Sequence, residues 1–261
     1  MRSHLLSNID SVREKARLGS LGRCYSGSWL NVFPCKVLGL HLKPPEFPFA
    51  ACYRLGIEVF GNSGPCPVCS SHSDALGDHA ISCGMAGERI ARHNQLRDTI
   101  FQTAQRANLA PLKESRALLL GTDARPADIL IPRWTEGRDT CYDVTVVNGL
   151  RQDLIERVAE EPAFAVQHVY ASKWSKYGPQ CEAEGLTFVP LPTDTFGAWH
   201  DLAAKHLRKL GSALSRATGT EESTTIKHIF ERLSVLLVRG NMSLLLNRIP
   251  EVNDPQIDGV V

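Results

Sequence analysis

The sequence predicts an α/β protein in which a mixed sheet is flanked by helices, preceded by a small metal knuckle and followed by a helical region. Three observations carry this expectation. Thr140–Asn148 (TCYDVTVVN) is β-branched and apolar almost throughout, as a central strand requires. Glu88–Asn108 carries helical periodicity, with Ile90, Asn94, Arg97, Ile100, Phe101 and Ala104 on successive turns, and Pro111 beyond its end. Between Ser63 and Met85 cysteine and histidine gather in a turn-rich stretch. The remaining elements follow in order. Ala127–Pro132 reads as a short strand and Leu150–Glu160 as a helix. Pro162–Tyr177 is a further helix with Pro162 in its first turn. Leu186–Leu191 is a strand made edge-like by Pro190. The predicted organisation is a linker or packing segment over 1–62, a knuckle over 63–86, an α/β core over 87–195, a helical region over 196–249 and a polar tail over 250–261. Within the first segment, 26–34 and 49–60 read as brief helical or extended pieces that pack on something.

Composition bounds the function. The 261 residues suffice for one large domain or two small ones, and 43% hydrophobic with 22% charged residues is ordinary for a soluble globular chain. Lys and Arg number 29 against 28 Asp and Glu, so any nucleic-acid contact must come from a local patch. No run is long enough to span a membrane, and Met1–Asp10 lacks the apolar stretch of a secretory signal. Eight cysteines are too sparse for a disulfide scaffold, which favours metal binding or packing inside a cell.

Cys66, Cys69, His79 and Cys83 follow the spacing C-x2-C-x9-H-x3-C. A CxxC turn lets two thiolates grip one ion, and a His and Cys four apart add ligands from one helical turn. Gly64, Pro65 and Gly77 supply the turns. Zinc bound there would be structural, because protein fills all four positions. His72 is a weaker competitor between flanking serines. Cys24, Cys35, Cys52, Cys141 and Cys181 lack such spacing and read as small buried hydrophobes.

The second signal is acidic. Asp128 opens one strand and Asp143 sits inside the next. A carboxylate in a β-branched strand is costly unless a cation compensates it. The bland alternative is a turn cap or a pair with Arg138. Two such carboxylates on neighbouring strands can converge on one divalent ion, which phosphodiester hydrolysis uses to polarise phosphate and activate water. Arg89, Arg92, His93 and Arg97 form a basic strip near the start of the long helix.

These elements, in this order, resemble a known module. The knuckle is followed by Arg92-His93-Asn94, Glu114, Arg125-Pro126-Ala127-Asp128, Asp143 in a DVTVV strand, and Lys173-Trp-Ser-Lys176-Tyr177-Gly178. The run looks like the restriction-like, PD-(D/E)XK endonuclease that closes the polyprotein of site-specific non-LTR retrotransposons and their relatives. The resemblance covers about Trp29 to Trp199 and is sharpest between Cys66 and Gly178. It implies a restriction-endonuclease-like fold and a metal-dependent DNA endonuclease that nicks target DNA to prime reverse transcription. It implies Asp128 and Asp143 as ligands of a catalytic Mg²⁺ or Mn²⁺, Lys173 as the catalytic lysine with Lys176 second, and Glu114 as an assisting acid. Cys66, Cys69, His79 and Cys83 match the structural Zn²⁺ ligands. Arg89, Arg92, His93, Arg97 and Lys176 are the expected nucleic-acid contacts. The expected partners are DNA and RNA or a reverse-transcriptase region of the same element, with no membrane, in an intracellular, nuclear setting. Two departures stand out: the first motif reads PAD rather than PD, and Thr145 occupies the position of the lysine in the written motif.

A different class stays open beside the nuclease: a non-catalytic, zinc-containing nucleic-acid-binding module or an inactive relic of such an element. No acidic polymerase doublet is present, so a terminal fragment, a separately coded module and a domesticated derivative all remain open. In the helical end, His200, Lys205, His206, Arg208, Lys209 and Arg216 lie beside Leu202, Leu207, Leu210 and Leu214. That pattern is either an amphipathic packing helix with a solvated face or a DNA-backbone contact. Phe230, Leu233, Leu236 and Leu237 read as core.

Overall fold

The computed structural model describes residues 9–115, 118–119 and 126–249. Arg125 and the tail 250–261 lie outside the described residues. The expected mixed sheet is present. It contains β3 (Leu112–Lys113), β4 (Ile129–Thr135), β5 (Arg138–Val147) and β6 (Thr187–Asp194), in that spatial order. β4 pairs antiparallel with β5, whereas β5 and β6 run parallel. The β4–β5 connection is the two-residue turn Glu136-Gly137, both at positive φ (52° and 77°). Such a turn matches the twist of the strands it joins. It lets β4 continue past Pro132 to Thr135, farther than its apolar run suggests.

Strand alternation divides the core. Ile129, Ile131, Tyr142, Val144, Val189 and Leu191 face one layer of helices. That layer is α4 (Glu88–Arg106), α7 (Asp201–Thr218) and α8 (Glu222–Leu246). Leu130, Cys141 and Phe188 face the opposite side, where Tyr177 and Cys181 of α6 (Phe164–Ala183) cover them. A second core joins α1 (Val12–Leu21), α2 (Glu46–Leu55), α5 (Ile155–Glu160) and the start of α6 to α8. The N-terminal segment is therefore a packing segment, with a 3-10 turn at Ser28–Asn31 and two helices, the first of which carries no clear signal in the sequence pattern.

Several expectations need correction. The buried face of α4 is Arg92, Leu96, Thr99, Ile100, Thr103 and Ala104, while Ile90 is exposed. The threonines can be buried because their hydroxyls donate to carbonyls one turn back, Thr99 to Gln95 at 2.8 Å and Thr103 to Thr99 at 2.7 Å. Arg92, expected in the basic strip as a nucleic-acid contact, is also buried. Helix over 150–160 shrinks to Ile155–Glu160, because the Asn148 side chain accepts from the Leu150 amide and sets a turn first. α6 runs past Tyr177 through Pro179 to Ala183, with the Trp174 ring filling the space beside Gly178. Leu202 is exposed, whereas Leu207, Leu210 and Leu214 are buried as expected. Part of the basic face of α7 is engaged by the protein itself. His206 Nδ1 lies 3.1 Å from the Tyr142 hydroxyl, and Lys209 donates to the Trp134 carbonyl at 2.7 Å.

α4 and α8 approach closely at Gly240, where an added Cβ would fall 2.5 Å from Arg92 Cγ. Gly240→Ala is therefore expected to lower stability by about 1–3 kcal/mol through overpacking. Chemical denaturation checks this, and an unchanged midpoint would show that the two helices slide apart freely.

Asp194, at the end of β6, is fully buried. Its Oδ1 accepts from the Phe196 and Ala198 amides, both at 2.9 Å, while Oδ2 has no partner among the described residues. Burial pushes its carboxyl up to about 6. A carboxyl raised above its unfolded value binds more protons when folded, so its contribution to stability falls as pH rises from about 4 through 6. Across that window the wild type is expected to lose up to about 3 kcal/mol relative to Asp194→Asn. Stability profiles of the two proteins that stay parallel from acid to neutral pH would reject this origin.

Candidate metal centre and acidic cleft

The knuckle is built from turns. β1 (Gly64–Pro65) pairs with β2 (His72–Ser73), and between them the Cys66 amide donates to Ser71 O while the Ser70 amide donates to Cys66 O, both at 2.8 Å. Asp74 accepts from the amides of Asp78 and His79, at 3.0 and 2.8 Å, and starts the short helix α3 (Asp78–Ser82). That turn carries His79 to Cys83, whose amide donates to His79 O at 2.7 Å. The ligand atoms of Cys66, Cys69, His79 and Cys83 consequently lie within 4.8 Å of one another. Cys69 Sγ and His79 Nε2 are 3.3 Å apart. Zinc–sulfur bonds of about 2.3 Å and zinc–nitrogen bonds of about 2.0 Å need a cluster of this size. The Cys3His cluster could hold a zinc ion. A hydrogen bond from Ser71 pulls the Cys69 thiol down to about 6, towards the thiolate a metal needs, whereas burial pushes Cys66 up. His72 is exposed on β2 and stands outside the cluster. Of the remaining cysteines, Cys141 and Cys181 are buried together and Cys35 and Cys52 are half-buried. Cys24 is exposed in the loop after α1, which corrects the expectation of burial.

The two aspartates meet because of strand register. Ile129 lies opposite Tyr142 in the antiparallel pair, and the Asp128 amide donates to Tyr142 O at 2.9 Å. One step along, Asp128 comes opposite Asp143 on the same face. Asp128 Oδ2 accepts from the Val144 amide at 2.7 Å, and its Oδ1 lies 3.2 Å from His93 Nε2 on α4. Asp143 is buried. It receives Lys173 Nζ from α6 at 3.1 Å and the Thr145 hydroxyl at 3.3 Å. Burial is the chief cause raising the Asp143 carboxyl, and nearby Asp128 adds to it against the pull of Lys173. The hydrogen bond to Asp128 raises His93 above the ordinary imidazole range. Asp128, Asp143, His93 and Lys173 border one open cleft of about 440 Å³.

Of the other expected site residues, Arg89 and Arg92 border the cleft and the rest fall elsewhere. The Glu114 backbone pairs with Asp128 O at 2.9 Å, but its carboxylate is held by Arg97 outside the cleft lining. Arg97 also reaches Asp98 at 2.9 Å. Lys176, one turn beyond Lys173, lies over the Tyr177 ring at 4.6 Å. Arg89 is exposed at the cleft and donates to Ser82 O at 3.2 Å. The bond that makes His93 part of the acidic site has no signal in the sequence, because no local spacing links residues 35 positions apart on a helix and a strand.

No model of a known protein family matches the chain, and no curated protein is similar to it. Among the described residues no helix is long and apolar enough to cross a membrane.

Proposed function

We propose that the chain is a metal-dependent DNA endonuclease, a restriction-like module of the retrotransposon type with a structural zinc knuckle. The observation that carries the reading is the meeting of Asp128 and Asp143 from neighbouring strands with Lys173 from α6 in one open cleft. A buried carboxylate beside a second carboxylate fits a site for a hard divalent cation, because a cation relieves both the desolvation and the repulsion that hold Asp143 up. Asp128 and Asp143 would hold Mg²⁺ or Mn²⁺, which when bound polarises a phosphate and lowers the pKa of a coordinated water.

The remaining groups orient and compensate. His93 and the Val144 amide fix the Asp128 carboxylate from two directions. Lys173 supplies an ammonium beside Asp143, where it stabilises negative charge developing on a phosphate. The lysine reaches the acidic face from a helix, so Thr145 is free to serve as a hydrogen-bond donor to Asp143. Glu114 has no part in these steps, since Arg97 holds its carboxylate.

Supercoiled plasmid incubated with the protein and Mg²⁺ or Mn²⁺ should become nicked, and omission of the divalent ion should prevent it. DNA binding without nicking under both metals would leave the zinc-containing binding module as the function.

A further inference from the structure

Three arginines are buried among the described residues: Arg17, Arg92 and Arg248. Arg17 reaches Glu14 at 2.5 Å and Arg248 reaches Glu88 at 3.3 Å. Arg92 makes no ion pair among the described residues, although Glu46 and Glu88 line a groove that it also borders. Its Nη1 donates to the neutral amide oxygen of Asn241 at 2.6 Å, and its Nε has no partner among the described residues. Burial brings its guanidinium down to about 10, and neighbouring Arg89 adds repulsion. A desolvated cation without a counter-ion is unfavourable unless an anion arrives to meet it.

Arg92 borders three grooves, one of them on the side of Glu46 and Glu88, where Arg248 takes up Glu88 and the Lys43 amide donates to Glu46. The other two adjoin along the Arg89 side of the helix. One is the acidic cleft. The other, of about 310 Å³, is bordered by Ser82, Arg89, Arg92, Thr145, Asn148 and Arg151, with no acidic residue in its lining. Arg89, Arg92 and Thr145 border both grooves. Arg89 spends a bond on Ser82 O and keeps further N–H donors. Arg151 pairs at 2.5 Å with Asp153, but both side chains are about half exposed and such a pair is weak.

We infer that this second groove is a phosphate-binding subsite for a nucleic-acid strand, seating a phosphodiester beside the one that the Asp128–Asp143 cleft receives. The inference deepens the nuclease reading and rests on it for the strand's second contact. A strand suits the place better than a free anion, because a polymer of phosphates can occupy the cationic groove and continue into the acidic cleft, which alone repels an anion. With net charge near zero, this local array supplies what the overall composition does not.

Fluorescence anisotropy of a labelled single-stranded oligonucleotide on the full chain, without added divalent ion, tests the subsite. Arg92→Met and Arg89→Ala should each weaken binding about ten-fold and lower the slope of log affinity against log salt by about one. Arg151→Ala should weaken it a few-fold, and Arg232→Ala, exposed on α8, should not. Arg92→Met keeps an apolar stem and removes the uncompensated charge but leaves the buried Asn241 amide oxygen without its donor, so the two effects offset and its melting temperature should change little. A lower melting temperature with wild-type affinity would assign Arg92 a purely structural role and overturn the proposal. So would wild-type affinity and salt slope in both the Arg89 and Arg92 variants. Displacement of the oligonucleotide by micromolar inorganic phosphate would make a free phosphate the ligand and overturn the strand assignment; displacement only by far higher concentrations supports it. A wild type that binds through these arginines yet never nicks would overturn the nuclease reading and leave the phosphate groove standing.

Discussion

Replacing Asp143 by alanine is expected to abolish nicking while leaving DNA binding close to wild type. Residues that merely orient a metal ligand already cost 10–100-fold when removed, so loss of the ligand itself should cost at least about 100-fold. The fold should survive the change. Asp143 is a buried carboxylate whose charged form is disfavoured by burial, and its partner Lys173 is partly exposed and can turn to solvent. Lys173→Ala should lower the nicking rate by roughly 100–1000-fold, the scale of one lost electrostatic stabiliser of the transition state. Lys176→Ala should be mild, because that ammonium rests over the Tyr177 ring. Rates of plasmid nicking, read beside anisotropy binding curves and melting temperatures, separate these outcomes. Nicking that persists at wild-type rate in Asp143→Ala would move the chemistry out of this cleft.

Disruption of the knuckle should have the largest effect on stability. Protein purified without chelator is expected to carry one zinc per chain, and Cys66→Ser is expected to lose it. Structural zinc contributes directly to folding, and here the knuckle is not an isolated appendage. Ala80 and Ile81 of α3 share a core with Met242 and Leu245 of α8, and the Asn148 side chain donates to Asp78 O and to the Ser82 hydroxyl. A loss of a few kcal/mol in a chain of this size corresponds to a fall in melting temperature of roughly 10 °C. Metal analysis and thermal unfolding provide the readout. A zinc-free wild type, or a Cys66→Ser variant that melts with the wild type, would reject the assignment.

Local signals account for the features that are legible in the sequence. The CxxC turn and the His79–Cys83 spacing are contained within eighteen residues, so one short stretch is enough to read the cluster. The β-branched run of β5 and the apolar start of β4 are equally local, and their adjacency brings Asp128 and Asp143 together. Satisfaction that exists only in the folded state is not legible. Thr99 and Thr103 read as polar because their hydroxyls are bonded only in the helical state. Glu114 matches an acidic position in the resemblance, yet Arg97, on a different element, takes up its carboxylate. Arg92 and His93 are neighbours in the same basic strip, and the two end in different surroundings. His93 meets Asp128, whereas Arg92 is buried against Gly240 and Asn241 of α8, on a packing surface set by the last long helix.

The two borders of the sheet have a consequence for how the protein behaves in crowded solution. β3 is only two residues long, and β6 carries Pro190 and Pro192 at positions of the same parity. Prolines in an edge strand belong where the missing N–H would have pointed outward. Along β6 the prolines leave no outward donor at 190 and 192, and the outward groups of Pro192 and Asp194 are already bonded to His200 and Ala198, while β3 offers almost no ladder to extend. Among the described residues both borders therefore offer an incoming strand little to pair with, which guards the sheet against edge-to-edge association.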